Sequence, residues 1–485
     1  MKLKAAELFR KQCFINGKWV DADSGSKLSV HNPSKGTLLG EIPRMGAVET
    51  KRAIEAAHKA LPEWKGKTAK ERSRLLRRWY ELILEHIDDL AAIMTSEQGK
   101  PLSEAKGEIR YGANFIEWFS EEAKRIYGEL IPSEIKNQHL LVIKQPIGVV
   151  AAITPWNFPS AMITRKCAPA LAVGCTVVVK PSEATPFSAF ALAELASQAG
   201  IPPGVLNILT GDSAAIGSEM TSHPLVRKVT FTGSTRVGKL LMAQSAETVK
   251  KVSLELGGSA PFIVFADADI DAAAEGLMAS KFRNAGQTCV CADRIFVEDR
   301  IYDAFTAALL KRVQQLKVGD GFEPGVHLGP LINAAAVDKV ERHIRDAVSK
   351  GAKIACGGKR HPLGKTFFEP TVLCNATSSM EIMQEETFGP VAALMRFSTE
   401  EEAIRLANES DYGLASYFYS RDIDRVWRVA EAIEAGIVGV NGGIISNEVA
   451  PFGGVKMSGI GREGSKYGAE EFIEIKYICM TGKNS

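Results

Sequence analysis

Short apolar runs rich in β-branched residues recur from residue 147 onward, and stretches with helical periodicity separate them. The first five runs cover residues 147–153, 176–179, 205–209, 229–231 and 252–256. Strands that alternate with helices are typical of a parallel sheet with right-handed crossovers, which binds ligands at the carboxyl ends of its strands. The pattern therefore predicts an α/β fold with a Rossmann-type, dinucleotide-binding unit. A second α/β series, from about residue 261 to residue 440, predicts a further α/β domain.

Two helical patterns precede this region, and two apolar runs lie outside it. Residues 68–99 carry an amphipathic pattern that begins at a capping box formed by Thr68 and Glu71, so they predict one long helix. A second helical pattern extends from residue 105 to about residue 128. The runs at residues 131–145 and 474–480 predict isolated strands, whose unpaired edges favour pairing and association with another subunit.

The charges of the chain nearly cancel, since 59 Lys and Arg oppose 57 Asp and Glu for a net charge of +2. This balance argues against nucleic acid or an anionic membrane surface as a partner. The 45% apolar and 24% charged composition is that of an ordinary globular protein, which favours an enzyme. Eight cysteines without a framework spacing, and an N-terminus interrupted by charges, predict a cytoplasmic location.

Two glycine-rich segments resemble phosphate-binding motifs. Residues 459–464 fit G-x-G-x-x-G but follow no clear strand, so they predict a loop. Residues 233–240 nearly fit the nucleoside triphosphatase loop, yet Leu240 stands where a magnesium-binding hydroxyl is required. The strand, turn and helix around Gly233 and Ser234 still predict a diphosphate-binding turn, with a plain strand-to-helix turn as the alternative.

Cys289 and Cys291 lie in a glycine-containing loop. A C-x-C spacing without a neighbouring His or a second pair does not make a zinc site, so no metal is predicted. Cysteine is the strongest protein nucleophile near neutral pH when its thiolate is stabilised. Cys289 is therefore a candidate nucleophile, and a buried inert thiol is the alternative.

Six motifs occur in the order and spacing typical of the aldehyde dehydrogenase superfamily. They are TPWNFP at 154–159, KPSE at 180–183, FTGS at 231–234, LELGG at 254–258, GQTC at 286–289 and EETFGP at 385–390. The chain resembles that superfamily over essentially its whole length. Four further segments resemble its succinate-semialdehyde dehydrogenase group: MITRK at 162–166, CVC at 289–291, IS at 445–446 and GREGSKYG at 461–468.

The resemblance implies a domain organisation. Residues 1–127 and 146–256 would form an NAD(P)-binding domain, and residues 257–465 a catalytic α/β domain. Residues 128–145 and 466–485 would form a β oligomerisation arm, which implies a homodimer or homotetramer.

The resemblance also implies catalytic roles. Cys289 would attack the aldehyde, and the Asn157 side chain with the backbone N–H of Cys289 would form the oxyanion hole. Glu255 would activate the water that hydrolyses the resulting thioester. Taken alone, Asn157 could equally be a turn residue, and Glu255 a solvated strand residue.

For the cofactor, the resemblance places Lys180 and Glu183 at the adenosine ribose and Trp156 near the adenine side. Ser234, after Gly233, would contact the diphosphate, and Glu386 with Phe388 the nicotinamide ribose. Thr154, Pro155 and Ser182 are the remaining expected cofactor contacts. The carboxylate of Glu183 would repel a 2′-phosphate by about 4 kcal/mol at ~4 Å and an effective dielectric of ~20. NAD is therefore the expected cofactor, and NADP a possible second one.

For the substrate, the resemblance assigns Arg165, Arg283 and Ser446 to a carboxylate distal to the aldehyde. The alternative is that each arginine pairs with a structural Asp or Glu. The implied reaction is oxidation of succinate semialdehyde in 4-aminobutyrate degradation. Glutarate semialdehyde or a broader range of ω-carboxy aldehydes is the alternative, because one methylene changes binding by only ~1 to 3 kcal/mol.

The resemblance, through some members of the family, also suggests a reversible, inactivating disulfide between Cys289 and Cys291. An inert Cys291 is the alternative.

Two other classes of function compete with the dehydrogenase. A thiol esterase would use Cys289 and Glu255 without a nicotinamide, and a non-catalytic protein would have lost those residues. Cys289, Asn157 and Glu255 are all present.

Overall fold

A computed structural model describes residues 3–482. In chain order, the α-helices α1 to α15 span Ala47–Gly66, Ala69–Glu85, Ile87–Gln98, Leu102–Glu122, Ala161–Val173, Phe187–Gln198, Ser213–Ser222, Thr235–Ala246, Ile270–Lys281, Tyr302–Val313, Ala334–Ser349, Glu381–Gln384, Glu400–Asn408, Ile423–Ala432 and Ser465–Glu470. The strands β1 to β22 span Cys13–Ile15, Lys18–Val20, Lys27–His31, Leu38–Pro43, Glu129–Ile131, Gln138–Pro146, Val149–Ile153, Thr176–Lys180, Leu206–Ile208, Val226–Thr232, Lys251–Glu255, Ala260–Val264, Ala292–Glu298, Lys353–Cys356, Thr371–Cys374, Val391–Phe397, Tyr412–Gly413, Ala415–Tyr419, Ile437–Val440, Val455–Lys456, Gly459–Ile460 and Ile473–Thr481.

The first sheet has the strand order β2-β1-β9-β8-β7-β10-β11-β21. Strands β7 to β11 correspond to the five predicted runs and pair in parallel. The order of the parallel strands reverses between β7 and β10, so the loops that follow these two strands flank the topological switch point. The predicted doubly wound, dinucleotide-binding type of sheet is confirmed.

The second sheet has the order β14-β15-β16-β13-β12-β18-β19, and only β14 runs antiparallel to its neighbour. Each sheet has its own large apolar core. Helices cover the buried strands because apolar residues face both sides of a parallel sheet. The fold therefore has two α/β units, each built on one sheet and its covering helices. The α/β prediction is confirmed.

The predicted isolated strands pair with each other. Strand β22 runs antiparallel to β6 from Ile473 opposite Pro146 to Thr481 opposite Gln138, and β5 extends this sheet on the other side of β6. Leu130 and Ile475 are each 71% exposed on these strands. This three-stranded unit, the arm, thus presents apolar side chains outside both cores.

Two local expectations differ from the structure. The helix predicted over residues 68–99 is interrupted at His86, where α2 ends and α3 begins. Asp88 and Asp89 occupy the first turn of α3, where the helix dipole favours negative charge, so they favour a new helix start. Within the predicted loop at residues 459–464, Gly459–Ile460 forms the edge strand β21 and pairs with β11.

No α-helix within residues 3–482 is long and apolar enough to cross a membrane.

The capping box of α2 gives a stability prediction. The hydroxyl oxygen of Thr68 accepts the N–H of Glu71 at 3.3 Å, and the Glu71 carboxylate accepts the N–H of Thr68 at 2.7 Å. We expect Thr68→Ala to lower the free energy of unfolding by about 1 kcal/mol. Chemical denaturation measures this change, with the exposed neighbour Lys70→Ala as control. Equal stability of the two variants would contradict the role of the cap.

Candidate active site

The loop that carries Cys289 lies between α9 and β13 and has a left-handed backbone turn. The φ angles of Asn284, Ala285 and Gly286 are 51°, 53° and 75°. Such a conformation is strained for residues with a side chain and persists only when surrounding contacts hold it. A Cβ atom on Gly286 would lie 2.1 Å from the carbonyl oxygen of Gly389, so glycine is required there.

Asn157 follows β7 and lies against the cysteine loop. Its side-chain Nδ2 donates to the backbone carbonyl of Gln287 at 3.1 Å, and its backbone carbonyl accepts a hydrogen bond from Asn284 Nδ2 at 3.0 Å. An amide nitrogen has two hydrogens, so one N–H of the Asn157 side chain stays free within the described residues. The turn after β7 and the cysteine loop are therefore joined by hydrogen bonds in both directions.

Burial raises the pKa of the Cys289 thiol to about 12. The positive charge of Arg165 opposes this shift, and the carboxylates of Glu255 and Glu386 add to it. The thiol is accordingly protonated at neutral pH, so attack on a substrate requires a group that takes the proton.

Glu255 ends β11 and is 4% exposed. Its Oε2 has no hydrogen-bond partner within the described residues. Burial, and then the negative charge of Glu463, raise its pKa well above the ordinary value. Three residues later, a Cβ atom on Gly258 would lie 2.4 Å from the carbonyl oxygen of Cys289, so the turn after Glu255 contacts the cysteine loop.

A buried group of charges surrounds Glu463, which belongs to the G-x-G-x-x-G segment. The Glu463 carboxylate pairs with Lys166 and, at 2.6 Å, with Arg165. The ammonium of Lys166 also donates to the Thr232 hydroxyl at 2.6 Å. The guanidinium of Arg165 lies 4.0 Å from the ring centroid of Phe452. Arg165 therefore pairs with a structural carboxylate, Glu463, which was the alternative to its role in binding substrate.

A cavity of about 290 Å³ reaches the nucleophile. Its lining includes Cys289, Arg165, Arg283 and Ser446, so the structure brings the candidate substrate residues together with the candidate nucleophile. Arg283 lies 5.3 Å over the Phe158 ring, and its Nε has no hydrogen-bond partner in residues 3–482. In the same part of the chain, no carboxylate oxygen lies within 4.0 Å of its guanidinium.

Glu386 and Phe388 lie on the other side of the glycine turn after Glu255. Glu386 Oε1 accepts the N–H of Gly258 at 3.2 Å, and burial raises its pKa to about 7. The Phe388 ring packs edge-on against Trp156, with centroids 5.6 Å apart. The resemblance places Trp156 near the adenine side and Phe388 at the nicotinamide ribose, whereas the structure brings the two rings into contact.

Lys180 ends β8 and forms an ion pair with Glu183 in the turn that follows. The Ser213 hydroxyl donates to Glu183 Oε1 at 2.6 Å. Thr154 donates its N–H to the carbonyl of Lys180 at 3.1 Å, which joins the ends of β7 and β8. Pro155 and Ser182 lie in the same two turns.

Ser234 caps α8 by accepting the N–H of Val237 at 3.4 Å. Gly233 donates its N–H to the Glu255 carbonyl at 3.0 Å, which places the N-terminus of α8 beside the end of β11. A helix N-terminus with free N–H groups favours phosphate oxygens. The Thr154 hydroxyl has no hydrogen-bond partner among residues 3–482, and with it the carboxyl edge of the first sheet fits a dinucleotide.

Cys291 is buried, and its thiol lies 3.5 Å from the carbonyl oxygen of Lys281. Lys281 in turn pairs with Asp293 at 2.7 Å. Cys289 and Cys291 are both free thiols, so their disulfide stays a prediction. No group of three or more potential metal-binding side chains is assembled within residues 3–482.

Sequence reasoning missed several polar residues that contact the site: Glu463, Gln98, Lys100, Glu104 and Glu108. Glu463 lies in a segment that was considered as a phosphate motif and as part of the family resemblance, but not as a source of charge, and the α4 region was considered only for its apolar positions. A usable signal existed, because Glu104 and Glu108 are four residues apart and so share a face of the helix.

The aldehyde dehydrogenase family model matches residues 19–478. A glutarate-semialdehyde dehydrogenase of Pseudomonas aeruginosa is 61% identical over 482 residues, covering 99% of this chain and 100% of the relative. An NADP-dependent succinate-semialdehyde dehydrogenase of Escherichia coli is 61% identical over 480 residues, with the same coverage.

Among solved structures, the crystal structure of succinate-semialdehyde dehydrogenase from Burkholderia pseudomallei matches with a TM-score of 0.99 and 61% identity. The match covers 99% of this chain and 100% of that one. The predicted family and its two-sheet architecture are confirmed. The chain belongs to the aldehyde dehydrogenase family.

Proposed function

We propose that the protein oxidises succinate semialdehyde to succinate with a nicotinamide cofactor. The observation that carries this proposal is the cavity that holds Cys289 together with Arg283, a cation without a carboxylate partner in the described chain. A guanidinium that lacks such a partner suits a substrate carboxylate. Arg165 adds positive charge, although Glu463 balances much of it. The names of the relatives support the same substrate class.

In the proposed reaction, the Cys289 thiol passes its proton to solvent water and its sulfur attacks the aldehyde carbon, so that a C–S bond forms as the C=O double bond opens to an oxyanion. The oxyanion accepts hydrogen bonds from the free N–H of the Asn157 amide and from the Cys289 backbone. A bound nicotinamide would supply the hydride acceptor, so that loss of hydride from that carbon would leave a thioester on Cys289. Glu255 then takes a proton from water, the oxygen attacks the thioester, and the Cys289 thiolate leaves as the acid is released.

We propose NAD as the preferred cofactor and NADP as a second one. Glu183 carries a negative charge where the family resemblance puts the adenosine ribose, and Lys180 with Ser213 holds it there. The Escherichia coli relative is named for NADP, so a 61% identical chain uses the phosphorylated form. We assign Trp156 to the nicotinamide end, because it contacts Phe388.

The chain length of the substrate is open between two close candidates. The succinate and glutarate semialdehyde relatives have the same 61% identity to this chain. Because one methylene is worth only ~1 to 3 kcal/mol, glutarate semialdehyde is expected to be a slower or weaker substrate rather than an excluded one.

We also propose a division into two domains. The cofactor domain covers residues 1–127 and 146–256, and the catalytic domain covers residues 257–465. Exposed apolar side chains on the arm support a homodimer or homotetramer. A cytoplasmic enzyme of 4-aminobutyrate degradation is consistent with the substrate.

Removal of the nucleophile tests the chemistry. Cys289→Ala is expected to lower the rate of aldehyde-dependent NAD reduction by at least ~10³-fold, while NAD affinity measured by titration calorimetry stays unchanged. Cys356→Ala, which changes a partly buried thiol in β14, is the matched control. Retained turnover would refute the assignment, and ester hydrolysis without NAD reduction in the native enzyme would favour the esterase.

Removal of the charge near the adenosine ribose tests cofactor preference. Glu183→Ser is expected to raise kcat/KM for NADP relative to NAD by at least ~10-fold, because the like-charge repulsion is lost. Ser213→Ala removes a hydrogen bond but keeps the charge, and is expected to leave the ratio unchanged. An unchanged ratio in Glu183→Ser would contradict the proposal.

Removal of the cavity cation tests substrate recognition. Arg283→Met is expected to lower kcat/KM for succinate semialdehyde ~10- to 100-fold, since a hydrogen bond to a charged group is worth ~1.5 to 3 kcal/mol. The rate with butanal, which has no carboxylate, is expected to change less than ~3-fold. Arg312→Met, which breaks a peripheral ion pair with Asp271, is the control. Equal losses with both aldehydes would sink the carboxylate assignment.

A further inference from the structure

Four polar side chains between the end of α3 and the second turn of α4 contact the two loops of the proposed oxyanion hole. They belong to Gln98, Lys100, Glu104 and Glu108, and we call this stretch the 98–108 segment. None of them is part of a motif that pointed to the active site. Their contacts divide between the turn of Asn157 and the loop of Cys289.

Lys100 contacts the Asn157 turn directly. Its Nζ donates to the backbone carbonyl of Asn157 at 2.8 Å and to Glu108 Oε2 at 2.6 Å. The side chains of Lys100 and Glu108 are each 1% exposed. The Lys100 ammonium also lies 4.0 Å over the Phe158 ring. Burying such an ion pair costs desolvation energy, so it contributes more to fixing geometry than to stability.

Glu108 fixes the same turn from its other side. Its Oε1 accepts the N–H groups of Ser160 at 3.0 Å and Ala161 at 3.2 Å, where α5 begins. Lys100 and Glu108 together therefore hold the chain at Asn157 and again three residues later.

The other two side chains hold the cysteine loop. Gln98 Nε2 donates to Asn284 Oδ1 at 2.9 Å, and Glu104 Oε2 accepts the backbone N–H of Asn284 at 2.9 Å. The Asn284 amide then donates to the carbonyls of both Asn157 and Gln287. One short segment thus holds both halves of the oxyanion hole and supports the left-handed backbone of Asn284.

We propose that Lys100, held by Glu108, is a positioning residue that sets the direction of the Asn157 amide relative to the Cys289 sulfur. The proposal rests on the proposed aldehyde oxidation. An oxyanion donor acts only when it points at the oxygen, and removal of one such donor costs ~10² to 10³ in kcat. Displacement of a reacting group by ~1 Å can cost ~10²-fold.

Lys100 also lines the cavity, so direct contact with the substrate carboxylate is the competing explanation. The two explanations differ in which aldehydes lose activity when the lysine is replaced. A positioning residue affects every aldehyde equally, because all share the carbon that Cys289 attacks. A carboxylate-binding residue affects only aldehydes that carry the distal carboxylate.

A double-mutant cycle with Lys100→Met and Asn157→Ala tests the proposal, with kcat measured on succinate semialdehyde and on butanal. Lys100→Met is expected to lower kcat ~30-fold or more with both aldehydes while KM for NAD stays within ~2-fold. In the Asn157→Ala background, the same change is expected to cost less than ~3-fold, because the amide it positions is gone. Lys106→Met, which breaks a half-exposed ion pair between α4 and Asp88 of α3, is the matched control.

Two results would overturn the proposal: an undiminished loss in the Asn157→Ala background, or a loss confined to succinate semialdehyde. If Lys100→Met does not fold, the cycle is run with Glu108→Gln, with the same requirement that its loss vanish when Asn157 is replaced. Failure of the native enzyme to oxidise succinate semialdehyde would refute the proposed substrate instead. The butanal arm would still test the positioning role.

Discussion

The hydrogen bonds between the Asn157 turn and the Cys289 loop are the contact on which the site depends. Asn157 follows a strand of the first sheet, whereas Cys289 precedes a strand of the second, so neither sheet contains a complete oxyanion hole. Reciprocal bonds at 3.1 and 3.0 Å join the two loops. The proposed chemistry therefore requires that the two α/β units keep the Asn157 turn and the Cys289 loop in contact.

Electrostatic balance around the cavity follows from the same packing. Glu463 pairs with both Arg165 and Lys166, and its charge adds to burial in raising the pKa of the neighbouring Glu255. Arg283 has an Nε without a hydrogen-bond partner in the described chain, although its charge interacts with the nearby buried carboxylate of Glu104. The net charge of +2 reveals none of this, because opposite charges pair locally.

Local signals predicted much of the fold. The alternation of apolar runs predicted the parallel strands, the capping box predicted the start of α2, and the two isolated runs predicted the paired strands of the arm. The prediction of an uninterrupted helix failed at His86, because the apolar periodicity continues across the break between α2 and α3. Motif residues such as Cys289, Arg283 and Ser446 were found from the sequence, and the structure brings them to one cavity.

The sequence by itself determined the α/β class, the strand ends that carry ligand-binding turns, and the residue types able to perform the chemistry. Each of these depends on neighbours a few positions apart, so periodicity and short motifs report it. Only the tertiary structure decided that Glu463 faces Arg165, that Trp156 contacts Phe388, and that Lys100 donates to Asn157. Those pairs are far apart in the chain, and a buried charge acquires its partner only when the elements pack.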